Sequence, residues 1–287
     1  MKNFDLSNGM TVPVLGQGTW MLGENLAHRA DEIKALRTGI AAGATLIDTA
    51  EMYGDGRSES LVREATCELP AGVARGDLCL VSKVLPGNAG RDRIFTSCEA
   101  SLRRLGTDYL DLYLLHWRGK VPLAETVACM EELVARGKIR AWGVSNFDID
   151  DMEELWNTPG GQNCQVNQVL YHAASRGIEF SLLPWMRERG VALMSYCPLA
   201  QAGAIRRGLL EEPALQRVAA KHAATTAQVL LAWNIRDGRT IAIPRTGSMA
   251  HGEENAAAAN LTLDDEDIAA IDATFPPPEW KMPLDME

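Results

Sequence analysis

The sequence lacks the marks of several function classes. Its six cysteines, Cys67, Cys79, Cys98, Cys129, Cys164 and Cys197, are scattered, with no C-x-x-C and no paired spacing. That argues against a disulfide framework and fits reduced packing thiols, so a cytoplasmic protein is expected. His28, His116, His172, His222 and His251 show no metal-ligand spacing, and no metal is expected. Basic residues are outnumbered: 28 Lys and Arg stand against 38 Asp and Glu, for a formal net charge of -10. That balance argues against nucleic acid as a partner. No stretch approaches the roughly 18 apolar residues of a membrane span. Met1 to Gly18 has no apolar leader core, so neither membrane nor secretion is expected. P-loop, H-E-x-x-H and G-x-S-x-G motifs are missing too. Gly16-Gln17-Gly18 begins like a dinucleotide fingerprint, but Met21 stands where the third glycine belongs and no βαβ unit opens there.

What is present is a regular alternation. The chain has 287 residues, 46% of them hydrophobic, enough for a full core. Strand-like runs fall at Val14–Gly18, Thr45–Asp48, Leu78–Ser82, Leu110–Leu115, Ala141–Ser145, Gln165–Val169, Ala192–Tyr196 and Thr240–Pro244. Helix-like segments separate them at Arg29–Ala42, Ser58–Cys67, Arg91–Leu105, Ala124–Arg136, Ile149–Trp156, Leu182–Arg189 and Pro213–Ile235, and Ser248–Asn260 follows. Such a repeat predicts an α/β fold, a (β/α)8 TIM barrel, over an open doubly wound sheet. Phe4–Leu6 and Met10–Val14 predict a short N-terminal β-hairpin, with Asn8-Gly9 supplying the positive φ angles of a tight turn. Ser58 and Asp148 stand where helix caps are expected. No low-complexity linker interrupts residues 1–287, so one domain is expected. Pro276-Pro277-Pro278 ends regular structure and leaves a tail too short for a large lid.

Polar groups sit at or just past the C-terminal ends of three apolar strands. Asp48 closes Leu46-Ile47-Asp48, Tyr53 follows five residues later, Lys83 follows Val81-Ser82, and His116 ends Leu112-Tyr113-Leu114-Leu115. In a closed parallel barrel those ends converge on the face where such folds do chemistry. A phenol, with a pKa of about 10, donates a proton poorly unless its phenolate is stabilised. A nearby ammonium lowers that value, a carboxylate holds the ammonium in place, and a neutral imidazole can orient a carbonyl oxygen. Tyr53 as acid, Lys83 as its tuner, Asp48 as anchor and His116 as orienter together describe a carbonyl-reduction site. Taken singly, each has a bland alternative: Asp48 and Lys83 as a structural ion pair, Tyr53 as a packed loop aromatic.

The motifs carrying these residues resemble the aldo-keto reductase superfamily from end to end, most of all its bacterial methylglyoxal-reductase-type members. They are Gly18-Thr19-Trp20, Leu46-Ile47-Asp48-Thr49-Ala50-Glu51-Met52-Tyr53-Gly54, Val81-Ser82-Lys83-Val84 and the run from Ser101 to Trp117. Gly143-Val144-Ser145-Asn146-Phe147, Asn167-Gln168, Tyr196-Cys197-Pro198-Leu199 and Ile243-Pro244-Arg245 continue the series. The resemblance implies a nicotinamide cofactor across the strand ends, no metal, and Asp48, Tyr53, Lys83 and His116 as catalytic residues. It also implies cofactor contacts from Gly18, Thr19, Trp20 and Asp48. Ser145, Asn146 and Gln168 would hold the carboxamide and Tyr196 would stack on the nicotinamide. Cys197, Leu199 and Ile243 would run beside the cofactor, with Leu199 and its neighbours along the pyrophosphate. Arg245, Thr246 and Ser248 would face the 2′-phosphate, with Glu254 and Asn255 at the adenine. Trp20, Tyr53, His116 and Trp117 would wall the substrate.

Two departures from the family pattern stand out. His251 occupies the place where an arginine often clamps the 2′-phosphate, so NADPH/NADP+ is expected with some tolerance of NADH. Leu85-Pro86-Gly87-Asn88 follows Lys83 where some members carry tryptophan, making one pocket wall less aromatic. The expected partner is a small carbonyl compound, an aldehyde or 2-oxoaldehyde such as methylglyoxal, and the family-level expectation is a monomer. The alternatives are the same fold acting on sugars, ketones or alcohols, and a cofactor-binding regulatory subunit. An intact catalytic four argues against the latter.

Overall fold

The alternation resolves into a barrel in the computed structural model, which describes residues 1–201 and 204–286. Two short antiparallel strands come first, β1 (Asn3–Asp5) and β2 (Thr11–Pro13). Eight parallel strands follow: β3 (Gly16–Gly18), β4 (Leu46–Asp48), β5 (Cys79–Val84), β6 (Leu110–Leu115), β7 (Ile139–Ser145), β8 (Val166–Leu170), β9 (Ala192–Tyr196) and β10 (Thr240–Ala242). Single α-helices link the strands from β3 to β9: α1 (Arg29–Ala41), α2 (Arg57–Thr66), α3 (Ile94–Leu105), α4 (Leu123–Ala135), α5 (Ile149–Trp156) and α6 (Leu182–Glu188). Then α7 (Ala204–Glu211), α8 (Pro213–Lys221) and α9 (Thr226–Asn234) lie between β9 and β10, and α10 (Met249–Ala257) and α11 (Asp265–Thr274) follow. The strands pair in chain order from β3 to β10. The ring closes where Leu15 bridges Ala242 and Gly18 bridges Arg245.

Strand periodicity then sorts the side chains. One parity of each strand points into the barrel, as alternation across a pleat requires. Leu46, Val81, Leu112, Leu114, Val166, Met194 and Ile241 form this inner cluster, and Leu6 and Val12 of the hairpin join it. The opposite parity packs against the helices in a larger cluster that includes Ile47, Leu80, Tyr113, Trp142 and Leu193. Following the inward parity along each chain leads from apolar residues to polar ones: Leu46 to Asp48, Val81 to Lys83, Leu114 to His116, Val166 to Gln168, and Met194 to Tyr196. The apolar half fills the barrel and the polar half opens at the C-terminal ends of the strands. Gly143 on β7 belongs to the same parity, and a Cβ there would meet the Val166 carbonyl oxygen at 2.3 Å. The close approach of β7 and β8 thus requires glycine.

Several local expectations are corrected. Asn8-Gly9 is not a two-residue turn: only Gly9 of the pair has positive φ (83°), and the loop spans five residues, with Leu6 N–H donating to the Met10 carbonyl at 2.9 Å. Ser58 is not a helix cap, because Gly56 occupies that position. The Ser58 hydroxyl instead bonds the carbonyls of Thr19 (2.7 Å) and Leu22 (2.6 Å), fastening the β3 loop to α2. Asp148 does cap α5, accepting from Ile149 N–H at 2.7 Å. The long helix read over Pro213–Ile235 is two, broken at left-handed Ala223 and restarted by the Thr225 cap on Gln228 N–H. Helices α7 and α11 have no counterpart in the sequence reading, and the Asp264 cap of α11 lies in an acidic run that masks it.

Candidate active site

The inward polar residues form one connected network. Lys83 Nζ donates to Asp48 Oδ2 at 2.7 Å, to the Thr49 carbonyl at 2.9 Å and to the Tyr53 hydroxyl at 3.1 Å. Gln168 Nε2 donates to Asp48 Oδ1 at 2.7 Å. Because β4 and β8 are not neighbours in the sheet, that bond crosses the barrel interior. Lys83 is fully buried and Asp48 and Tyr53 nearly so. The phenol therefore presents its oxygen with the ammonium behind it, away from solvent. Tyr53 reaches this place from a tight turn in which Gly54, Asp55 and Gly56 all have positive φ, at 56°, 55° and 84°. Glycine removes the steric cost of that backbone at two of the three positions.

The electrostatics follow from burial. Burial would pull the Lys83 ammonium down, but Asp48 and Tyr53 more than offset it and raise its value, so Lys83 stays charged. Burial pushes Asp48 up, against the ammonium of Lys83 and the amide of Gln168. Burial also pushes the Tyr53 phenol above its ordinary value, with Lys83 acting the other way. Lys83 thus lowers the phenol as expected, but desolvation outweighs it, and the group is a protonated phenol at neutral pH. His116 is held down to about 2, first by burial and then by the Lys83 charge, so its imidazole is neutral. Its Nδ1 is buried without a hydrogen-bond partner among the described residues. The His116 ring sits edge-on to Tyr53 at 5.6 Å between centroids, with Trp117 tilted against it at 4.9 Å.

A cavity of about 450 Å³ opens over this network. Tyr53, His116, Asp48, Trp20, Ser145, Asn146, Gln168 and Tyr196 all line it. Gly18, Cys197, Leu199, Ile243 and Arg245 continue the wall. Ser145 Oγ donates to the Gln168 carbonyl at 2.8 Å and the Tyr196 hydroxyl to Asn146 Oδ1 at 2.9 Å, which ties the ends of β7, β8 and β9 together. Asn146 takes a left-handed backbone, φ 58°, to reach this position.

Other residues singled out in the sequence lie elsewhere. Trp117 packs on His116 instead of lining the cavity, and Thr19 is fully buried with its hydroxyl on the Asp48 carbonyl at 2.9 Å. Thr246 and Asn255 border a separate narrow recess, Ser248 N–H donates to Thr246 Oγ1 at 3.0 Å, and His251 is exposed on α10. Glu254 is engaged by the hydroxyl of Thr225. Among the remaining histidines, His172 is buried, held down to about 4 by burial and accepting from Ala174 N–H, while His222 pairs with Asp267 at 2.7 Å. Both are structural. Met21, Met52 and Arg206 line the cavity without having been singled out. Met52 directly precedes Tyr53 and Met21 follows Trp20, so adjacency was a usable signal for both. Arg206 lies ten residues beyond its strand and had none.

A model of the aldo/keto reductase family matches residues 14–275. The chain belongs to that family. This aldo/keto reductase, an oxidoreductase, is 51% identical over 285 residues to methylglyoxal reductase YeaE of Escherichia coli strain K12, covering 99% of both chains. It is 33% identical over 267 residues to methylglyoxal reductase DkgB of E. coli O157:H7, covering 92% of this chain and 93% of that one. Among solved structures it resembles an aldo/keto reductase from Klebsiella pneumoniae in complex with NADP and acetate, with a TM-score of 0.95 and 51% identity over 100% of this chain and 99% of that chain. Within the described residues no group of His, Cys, Asp and Glu could hold a metal ion, and no helix is long and apolar enough to cross a membrane.

Proposed function

We propose that this aldo/keto reductase reduces small aldehydes and 2-oxoaldehydes to alcohols with NADPH, and that Tyr53 is the proton donor. The observation that carries the reading is the buried Asp48–Lys83–Tyr53 chain, with bonds of 2.7 and 3.1 Å, ending beside a neutral His116 in the cavity. The names of the relatives, methylglyoxal reductases and an NADP complex, agree with it.

The residues present fit a nicotinamide dinucleotide. Ser145, Asn146 and Gln168 offer amide-pairing groups at one end of the cavity, Tyr196 offers a ring face, and Arg245 a fixed cation at the wall. When bound, the reduced nicotinamide supplies a hydride to the carbonyl carbon. The chain does the rest. His116, being neutral, offers an N–H to the carbonyl oxygen and fixes its orientation. Tyr53 gives its proton to that oxygen as negative charge develops, and Lys83 stabilises the phenolate left behind. Asp48 and Gln168 hold the ammonium in place, while Trp20, Met21 and Met52 supply an apolar rim. Arg245, with Thr246, Ser248 and His251, would hold the 2′-phosphate, and Glu254 and Asn255 would contact the adenine.

The test is oxidation of NADPH and of NADH over a panel of methylglyoxal, benzaldehydes, aldoses and diketones. Turnover of the 2-oxoaldehydes and simple aldehydes above the aldoses, with NADPH preferred, is the expected result. An enzyme active only on aldoses or only with NADH would reject the reading. Cofactor choice has its own variant. A guanidinium–phosphate contact contributes about 1.5–3 kcal/mol, so Arg245→Ala is expected to weaken NADPH binding roughly ten- to a hundredfold and leave NADH nearly unchanged. His251→Arg should strengthen NADPH. Fluorescence titration with both cofactors checks this, and equal losses for the two on removing Arg245 would mean that the side chain merely supports the loop.

A further inference from the structure

Arg29, Arg37, Arg75, Arg104, Arg118 and Arg189 are all half-buried, and each has a carboxylate partner. Arg206 is half-buried as well, yet among the described residues it has neither a hydrogen bond nor an ion pair. A partly desolvated charge without a partner carries a cost that no interaction among the described residues offsets. Its location adds to that cost. Arg206 stands in the first turn of α7, the positive end of the helix dipole, where a cation is disfavoured and an anion favoured. The side chain lines the active-site cavity, whose other charged lining groups are Arg245 and Asp48. Asp48 is matched by Lys83 at 2.7 Å. The cavity wall is therefore doubly positive in a protein of formal net charge -10.

We infer that Arg206 is an anion-binding residue of this cavity and pairs with the diphosphate bridge of the bound dinucleotide. The position within the fold selects that group. Arg206 belongs to the same β9–β10 connection as Tyr196, on which the nicotinamide is proposed to stack, and Leu199, proposed to run along the diphosphate, lies between them. Arg245, after β10, marks the 2′-phosphate end. A cation on the intervening connection meets the group between nicotinamide and adenosine, which NADPH and NADH share. This inference rests on the proposed dinucleotide site.

The experiment is fluorescence titration of the wild type, Arg206→Gln, Arg206→Lys and Arg206→Glu with NADPH and NADH at two salt concentrations. It is paired with KM measurements on benzaldehyde and 4-carboxybenzaldehyde. Arg206→Gln should weaken both cofactors by a like factor, roughly tenfold for one lost charge-assisted contact. Arg206→Glu should weaken both further and Arg206→Lys should recover part of the loss. The difference from wild type should shrink at high salt, as screening requires. Unchanged affinity for both cofactors in the Gln and Glu variants overturns the inference. So does a loss confined to NADPH, which would place Arg206 at the 2′-phosphate, or one confined to the carboxylated aldehyde, which would make it a substrate residue. A wild type that binds neither dinucleotide overturns the cofactor site itself. A wild type that binds both, matched by its variants, overturns the role of Arg206 alone.

Discussion

Tyr53→Phe is expected to abolish carbonyl reduction while leaving cofactor affinity nearly intact. The substitution removes one hydroxyl, and with it the group that Lys83 Nζ reaches at 3.1 Å, but leaves the cavity residues Arg245 and Leu199 in place. Loss of a positioned acid–base group costs ~100- to 10,000-fold in rate. The phenyl ring keeps its packing against His116, so the pocket keeps its shape. Turnover at the wild-type rate, with dissociation constants for NADPH also unchanged, would remove Tyr53 from the mechanism.

Lys83→Met should cut the rate and move the falling limb of the pH–rate profile upward. The sign follows from the opposing influences on Tyr53. Burial raises the phenol, Lys83 lowers it, and removing Lys83 leaves burial unopposed. A weaker acid stays protonated to higher pH but transfers its proton less readily. The variant also leaves Asp48 buried without its ammonium, and stranding one partner of a buried pair costs about 3–5 kcal/mol of stability. Asp48→Asn together with Lys83→Met removes both charges and separates the two effects. The double variant should regain thermal stability, measured by melting, and still show the displaced, depressed profile. Profiles unchanged in shape and height in either variant would reduce Asp48 and Lys83 to a structural pair.

Much of the site was legible in the chain because of strand periodicity. A residue at the polar end of an apolar run, two positions beyond an inward Leu or Val, must share that face. Asp48, Lys83, His116 and Gln168 are all reached this way, and Tyr53 lies in the turn just beyond β4. Helix boundaries were less legible where caps compete. Ser58 looks like a cap by residue type, but its hydroxyl serves the carbonyls of Thr19 and Leu22, a tertiary demand with no local trace. The break at Ala223 needs a left-handed alanine, which nothing in its side chain announces.

What the sequence by itself determined is the alternation of strand and helix, the inward order of apolar before polar residues, and the identity of the groups at the strand ends. These depend on periods of 2 and 3.6 residues, which are local. Only the tertiary structure decided the balance of charge among those groups. The Gln168 bond to Asp48 spans 120 residues. The depth of burial that raises the Tyr53 phenol and lowers the His116 imidazole arises only when the ring of strands has closed and water is excluded. Arg206, without a partner among the described residues, likewise acquires meaning only once it lines the cavity. Proton affinity and pairing depend on the whole surrounding dielectric and on partners brought together from distant strands, neither of which a local run of residues encodes.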